Sequence, residues 1–201
     1  MDPFIRLSAV AAPFNEADID TDIIYPARFL TITAKKGLGR YAFHDRRFDG
    51  QGRELPDFVL NREPWRQAGI LVAGANFGCG SSREQAPWAL LDQGIRCIIA
   101  PSFGDIFRGN CYRNGMLPVV VDEATHAALL ADAEAGLELH VDLEAGFITR
   151  PDGSTVAISI DPQKRDALLN GWDEVMTILN QRGDAIAQYE TQRRQRFPWL
   201  G

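Results

Sequence analysis

Histidine and cysteine are scarce in this chain, three of each among 201 residues. The cysteines, Cys79, Cys97 and Cys111, form no CxxC pair, so a self-contained zinc or iron–sulfur site is not expected here. An odd and sparse set suits a reducing compartment better than a disulfide framework. Cys97, inside the apolar run 95–100, and Cys111 read as packing residues, whereas Cys79 lies in a polar loop and stays open between a structural and a functional role. His126 and His140 read as structural and His44 as non-catalytic, which leaves little material for a Ser–His–Asp hydrolase. Long apolar runs are missing too: none approaches the ~18–20 residues of a membrane helix. The first fifteen residues carry one Arg and no sustained apolar core, so they do not read as a signal peptide, and a cytoplasmic location is the expectation. Positive charge is not in excess. A net charge of −6 speaks against nucleic acid or a membrane surface as a partner.

What is present is an ordinary globular composition, 45% hydrophobic and 24% charged, read as one domain spanning 1–201 with a helical tail over about 164–196. Its middle has a regular rhythm. Residues 70–75 read as a buried strand and 83–93 as a helix stopped by Gly94. Residues 95–100 read as a second strand. Residues 102–114 form a second helix, with Ser102 as N-cap, Asp105 at the capping-box position and Gly115 as its stop, and 117–121 is a third strand. That alternation implies a parallel βαβαβ unit with right-handed crossovers. The flanks 4–10 and 137–160 show β-type alternation, with a hairpin turn at Pro151-Asp152-Gly153-Ser154. Residues 125–133 form a short helix. Residues 164–170, 173–180 and 184–196 read as three further helical pieces. Between 33 and 63 the chain makes a long polar excursion. Its 35–53 stretch lacks obvious apolar anchors and is expected to be mobile without a partner.

The chemistry concentrates in Gly78-Cys79-Gly80-Ser81-Ser82-Arg83-Glu84, which follows the first of these strands. A loop at the carboxyl end of a parallel strand is where α/β sheets place ligands. No Lys precedes Ser81, so it is not a phosphate-binding P-loop. Arg83 stands where a dinucleotide fingerprint needs a third Gly. A nucleophile elbow would need Gly two residues past the serine. There remains an oxyanion-type cradle: Ser81 and Ser82 near a helix N-terminus, where N–H groups and the macrodipole favour negative charge, and Arg83 able to clamp a carboxylate. The alternative is a plain capping box between Ser81 and Glu84. Pro87 complicates both, since the regular helix could start there and leave 81–85 as an irregular cradle.

With the following Ala86-Pro87-Trp88-Ala89-Leu90, this loop resembles the swivel-domain signature of the aconitase superfamily and, more closely, the small-subunit family of 3-isopropylmalate dehydratases. Asp20-Thr21-Asp22-Ile23-Ile24-Tyr25-Pro26, Pro56-Asp57-Phe58-Val59-Leu60-Asn61, the segment 100–107, Asn110-Cys111, Asn114-Gly115-Met116-Leu117-Pro118 and the tail 171–190 carry the resemblance over nearly the whole chain. It implies an α/β fold, a three-layer β/β/α swivelling domain with a parallel βαβαβ core and flanking antiparallel strands. It implies a hydro-lyase of leucine biosynthesis that isomerises 2- and 3-isopropylmalate by dehydration and rehydration. In that reading no cofactor is bound by this chain. The [4Fe–4S] cluster sits on a separate large subunit, and this chain is active only with it. By resemblance Ser81 is the catalytic base and Asp22 an active-site aspartate. Ser82, Arg83, Lys35 and Thr21 bind substrate. Two departures stand out: Lys35-Lys36 where the family has an Arg-Thr type pair, and Gln85 where it usually has His. Lys35-Lys36 reads equally as a solvated pair or as substrate-facing. A related hydro-lyase acting on citraconate, 2-methylmalate or another small dicarboxylate is the alternative.

Overall fold

The structure, a computed structural model, describes residues 1–32 and 34–200. Thr33, the first residue of the 33–39 segment read from sequence, lies outside the described residues. The strands are β1 (Arg6–Phe14), β2 (Ile70–Ala73), β3 (Cys97–Ala100), β4 (Leu117–Val120), β5 (Glu138–Asp142), β6 (Phe147–Thr149) and β7 (Thr155–Ala157). The α-helices are α1 (Thr21–Ile24), α2 (His44–Arg47), α3 (Gln85–Gln93), α4 (Asp105–Asn114), α5 (Glu123–Glu134), α6 (Pro162–Asn170) and α7 (Glu174–Arg196).

One mixed sheet orders the strands β4-β3-β2-β1-β5-β6-β7. β1 is the pivot. Its second half, Ala11 to Phe14, pairs parallel with β2, while its first half, Arg6 to Val10, pairs antiparallel with β5. β2, β3 and β4 continue the parallel part and β6 and β7 the antiparallel part. The short strands β2 and β3 are buried at every residue, as expected of parallel strands covered on both faces.

Their alternating side chains feed two cores. Ala12, Phe14, Leu71, Ala73, Ile98 and Ala100 pack with Ala86, Ala89 and Leu90 of α3 and with Phe107 and Cys111 of α4. Two right-handed crossovers running the same way across the sheet put both helices on that face. Ala11, Ile70, Val72, Cys97 and Ile99 pack instead with Leu129 of α5, Leu139 and Val141 of β5 and Ile148 of β6. Helices therefore cover one face and the antiparallel strands, closed by α5, the other. This is the β/β/α order the resemblance implies.

Several local expectations are corrected. Ser102 does not cap α4; its hydroxyl accepts from the Asn76 N–H at 2.8 Å, and the helix starts at Asp105 after Gly104. α3 begins at Gln85, not at 83 or 87. The pieces 173–180 and 184–196 are one helix of 23 residues running through Gly183. A single interior glycine costs about 1 kcal/mol, and the Ala, Gln, Glu and Arg around it are good helix formers. The 33–63 excursion has anchors after all: Leu38, Ala42, Phe43 and Leu60 are buried in the first core. Arg47 is buried among them. Its guanidinium donates to the Gly39 carbonyl at 3.0 Å, to Gln93 at the end of α3 at 2.7 Å and to Asn61 at 3.2 Å. Folded, these polar groups satisfy one another.

Candidate active site

Three loops leave the carboxyl ends of β1, β2 and β3 on the same edge of the sheet, and backbone hydrogen bonds stitch them together in strand order. The Phe77 N–H donates to the Ser102 carbonyl at 3.1 Å and the Gly104 N–H to the Phe77 carbonyl at 3.0 Å. One residue on, the Gly78 N–H donates to the Ile19 carbonyl at 2.7 Å and the Thr21 N–H to the Cys79 carbonyl at 3.0 Å. These are isolated parallel bridges, Phe77 with Phe103 and Asp20 with Cys79. They repeat beyond the strand ends the neighbour order β3, β2, β1. The middle loop is thus held from both sides by backbone, and its position is set by the sheet.

Glycine is required where these loops touch. Gly78 has φ 75°, and a β-carbon there would lie 2.2 Å from the Phe107 ring. A β-carbon on Gly104 would lie 2.6 Å from the Gly78 carbonyl oxygen. The loop therefore lies directly on the buried Phe107 of α4 and on the 103–104 backbone.

On this base stand the candidate side chains. Ser81 and Ser82 are exposed, and the bonds that hold Ser81 run through its backbone. Its carbonyl accepts from the Thr21 hydroxyl and from the Arg83 N–H, both at 2.9 Å. Thr21 is buried, 2% exposed, so it sits beneath the loop and props Ser81. The capping box does not form. Glu84 itself occupies the N-cap of α3, no side chain caps the helix, and the Glu84 carboxylate accepts from the Asn114 amide at 2.9 Å. Of the two readings open in the sequence, the geometry takes the irregular cradle.

Arg83 and Asp22 form a two-pronged ion pair: Nη2 to Oδ2 at 2.7 Å and Nη1 to Oδ1. Nη1 also reaches the Tyr25 carbonyl at 3.4 Å. The Ala27 N–H donates to Asp22 as well, at 3.1 Å. The Arg83 hydrogen bond holds the Asp22 carboxyl below its ordinary value; burial opposes it, and the Arg83 charge and the Ala27 N–H add smaller effects in the same direction as the bond. The same pairing raises Arg83. The Arg83 side chain is 13% exposed, and no group among the described residues hydrogen-bonds its Nε.

Lys35 is not drawn into this cluster. Its ammonium sits 4.5 Å from the centroid of the Trp88 ring, a cation–π contact on the outer side of α3. Gln85 is half-buried as the first residue of α3. Cys79 is partly buried in the loop, and burial, then the Asp20 and Asp18 carboxylates, push its thiol up; it stays protonated and is no nucleophile near neutrality. Cys97 and Cys111 lie in different cores and burial raises both thiols. Three separated thiols do not fit an iron–sulfur cluster, and among the described residues no three His, Cys, Asp or Glu side chains group as metal ligands.

Sequence reasoning missed two supports. Asn76 and Asp18, both with positive φ at 56° and 57°, join their loops through the Asn76 amide and the Asp18 carboxylate at 2.7 Å. Asn114 at the end of α4 uses its whole amide. It accepts from the Trp88 indole N–H at 2.8 Å and donates to Glu84 and to the Asn110 carbonyl, both at 2.9 Å. Its sequence signals were its place before the helix-stopping Gly115 and its membership of the family-like stretch Asn114-Gly115-Met116-Leu117-Pro118.

Comparison with known proteins shows the family of this chain. Residues 1–124 match the family model described as the aconitase C-terminal domain. Residues 127–162 match the LeuD_N model, and residues 181–201 match the model for the C-terminal domain of the 3-isopropylmalate dehydratase small subunit. The chain is 52% identical over 201 residues to the 3-isopropylmalate dehydratase small subunit of Gluconacetobacter diazotrophicus, covering 99% of this chain and 97% of that one. To the protein of the same description in Rhodospirillum centenum it is 50% identical over 201 residues, covering 99% and 98%. It is also similar to a crystal structure of 3-isopropylmalate dehydratase (leuD) from Methanocaldococcus jannaschii. The TM-score there is 0.65 at 26% identity, over 92% of this chain and 99% of that one.

Proposed function

The chain belongs to the family of 3-isopropylmalate dehydratase small subunits, and from that premise we propose that it supplies one half of a hydro-lyase site, the other half coming from a large subunit that bears a [4Fe–4S] cluster. The reaction is the interconversion of 2-isopropylmalate and 3-isopropylmalate in leucine biosynthesis. The observation that carries this reading is the convergence of exposed Ser81 and Ser82 with the Asp22–Arg83 pair on a loop held by backbone from both sides.

The chemistry asks for removal of a C–H proton next to a carboxylate. The C–H electrons become a C=C bond, and hydroxide departs from the adjacent carbon, leaving with a proton as water. Readdition of water with the hydroxyl on the other carbon gives the isomer. A proton beside a carboxylate is very weakly acidic, so the developing dianion must be stabilised as it forms. Arg83 does this, held in place by Asp22. Ser82 and the uncapped start of α3 add donors. Ser81 takes the proton, and the Arg83 guanidinium with the N–H groups at the start of α3 lowers the energy of its alkoxide. Thr21 acts beneath it by fixing the Ser81 carbonyl. Asp22 acts on Arg83, so its part is to orient a substrate-binding group. Lys35 belongs to the rim of the site, on Trp88. The large subunit's cluster would supply Lewis acidity for the departing hydroxide, while the residues of this chain bind and orient the substrate and take the proton.

The test is a spectrophotometric assay of this chain reconstituted with its cognate large subunit. Isopropylmalate and citraconate are compared by kcat/KM. The proposal expects isopropylmalate to be preferred; a preference for citraconate overturns the substrate assignment while leaving the hydro-lyase assignment standing.

A further inference from the structure

α7 runs for 23 residues and buries none of them. Helices in proteins draw most of their stability from packing an apolar face, and α7 has such a face without cover. Val175 is 64% exposed, Leu179 48% and Tyr189 66%. With Arg182 and Ile186 they recur alternately four and three residues apart, the spacing that keeps side chains on one stripe of a helix. The body of the protein meets α7 on another side: Thr177 and Gln181 face Lys164 and Ala167 of α6 across a shallow cleft.

From this we infer that the α7 stripe is a docking surface for the large subunit, in an apolar groove flanked by carboxylates. The inference rests on the proposed function and adds to it the surface by which the two halves associate. Three observations select this occupant. The part of the chain that matches the aconitase-wide domain model ends at residue 124, whereas 181–201, which includes most of α7, matches a model specific to small subunits. Arg182, Ile186 and Tyr189 of the stripe lie inside that small-subunit match. Second, α7 is linked at its start to the candidate site through Asn114. Asp173, its N-cap, shares a cavity with Lys35, Trp88, Arg113 and Asn114, and Asn114 holds Glu84 beside Arg83. A partner that closes over the site is continuous with this surface. Third, charge disfavours a second copy. The stripe is centred on Arg182, so pairing two copies in register, parallel or antiparallel, sets Arg182 against Arg182. Arg193, Arg194 and Arg196 crowd the last turn of a chain whose net charge is −6, which fits an acidic rim on the partner.

The experiment keeps the full chain. Val175, Leu179, Ile186 and Tyr189 are changed together to Gln, a good helix former, so that the helix is kept and the apolar stripe removed. Binding to the purified cognate large subunit is measured by calorimetry, with sedimentation of each chain alone. Expected is at least a ~10-fold rise in Kd with unchanged thermal melting of the isolated chain. A second variant, Arg193→Glu with Arg194→Glu, is expected to slow association and to flatten its salt dependence. Wild-type Kd in both variants overturns the inference. So does a wild-type dimer that the Gln variant converts to monomer without weakening binding to the large subunit, since the occupant is then a second copy. A wild-type chain that fails to bind the large subunit at all refutes the functional reading itself, and the occupant with it.

Discussion

Asp22 and Arg83 stand 61 positions apart in the chain and meet as a two-pronged ion pair. The Asp22 side chain is 53% exposed, so the pair contributes little to stability, within about 1 kcal/mol; its value lies in aiming the guanidinium. Because the folded Asp22 carboxyl lies below its ordinary 3.8, that contribution is present above the unfolded value and is lost as pH falls through the folded one. Asp22→Asn should therefore lower the melting temperature slightly at pH 7. The difference from wild type should vanish in acid, and the KM for isopropylmalate should rise at neutral pH. The Asp45 carboxyl, held down to about 2 by hydrogen bonds from Arg28 and then His44, gives a control outside the Asp22–Arg83 pair. Asp45→Asn should show the same acid convergence, only at lower pH, without touching KM. Asn114 yields a sharper test. Asn114→Asp breaks the amide–carboxylate bond by setting two carboxylates together and should lower kcat/KM, whereas Glu84→Gln keeps an acceptor for the Asn114 amide and should cost less. The double variant restores that bond with its polarity reversed and should recover most of the loss; no recovery would mean that Asn114 does not position the loop. The sequence offers Asn114 as a residue of a family-like motif before a helix stop, but its bonds to Trp88 and Glu84 were not legible there.

At the scale of elements, the local pattern foretold the strands and the glycine stops well and the helix starts poorly. Gly94 and Gly115 end α3 and α4 in the left-handed conformation expected of them. Ser102 looks like an N-cap because its neighbours permit one, yet the Asn76 N–H engages its hydroxyl from across the sheet, a partner 26 positions away that no window of sequence contains. The excursion misled for a similar reason. Its anchors, Leu38, Ala42, Phe43 and Leu60, are spaced without helix or strand period, so burial depends on Arg47, Asn61 and Gln93 finding one another. Arg47→Ala should leave the Gly39 carbonyl and the Asn61 amide short of partners, costing about 1–3 kcal/mol. In hydrogen exchange it should loosen residues 38–48 while the parallel strands stay protected. Gly78→Ala forces a β-carbon onto Phe107 at a left-handed backbone position. It should cost roughly 2–4 kcal/mol and lower activity further by shifting Ser81.

Across the whole molecule, function was more legible than architecture. The candidate residues Ser81, Ser82, Arg83 and Asp22 could be named from two short motifs. That the motifs touch, and that Thr21 props Ser81 while Lys35 lies apart on Trp88, needed the sheet. The continuous α7 and its exposed stripe were hidden by Gly183, which reads as a break in a polar tail. The chain as a whole presents half a site, on the edge where the parallel strands end, with its cysteines placed unsuitably for a cluster. The central claim is that Ser81 is the base of that half-site, and one measurement tests it most directly. Ser81→Ala is assayed for isopropylmalate turnover with a fixed amount of cognate large subunit, and its binding to that subunit is measured alongside. The account predicts unchanged association and a loss of ~10²–10⁴-fold in kcat. A loss smaller than about tenfold with the complex intact would contradict it.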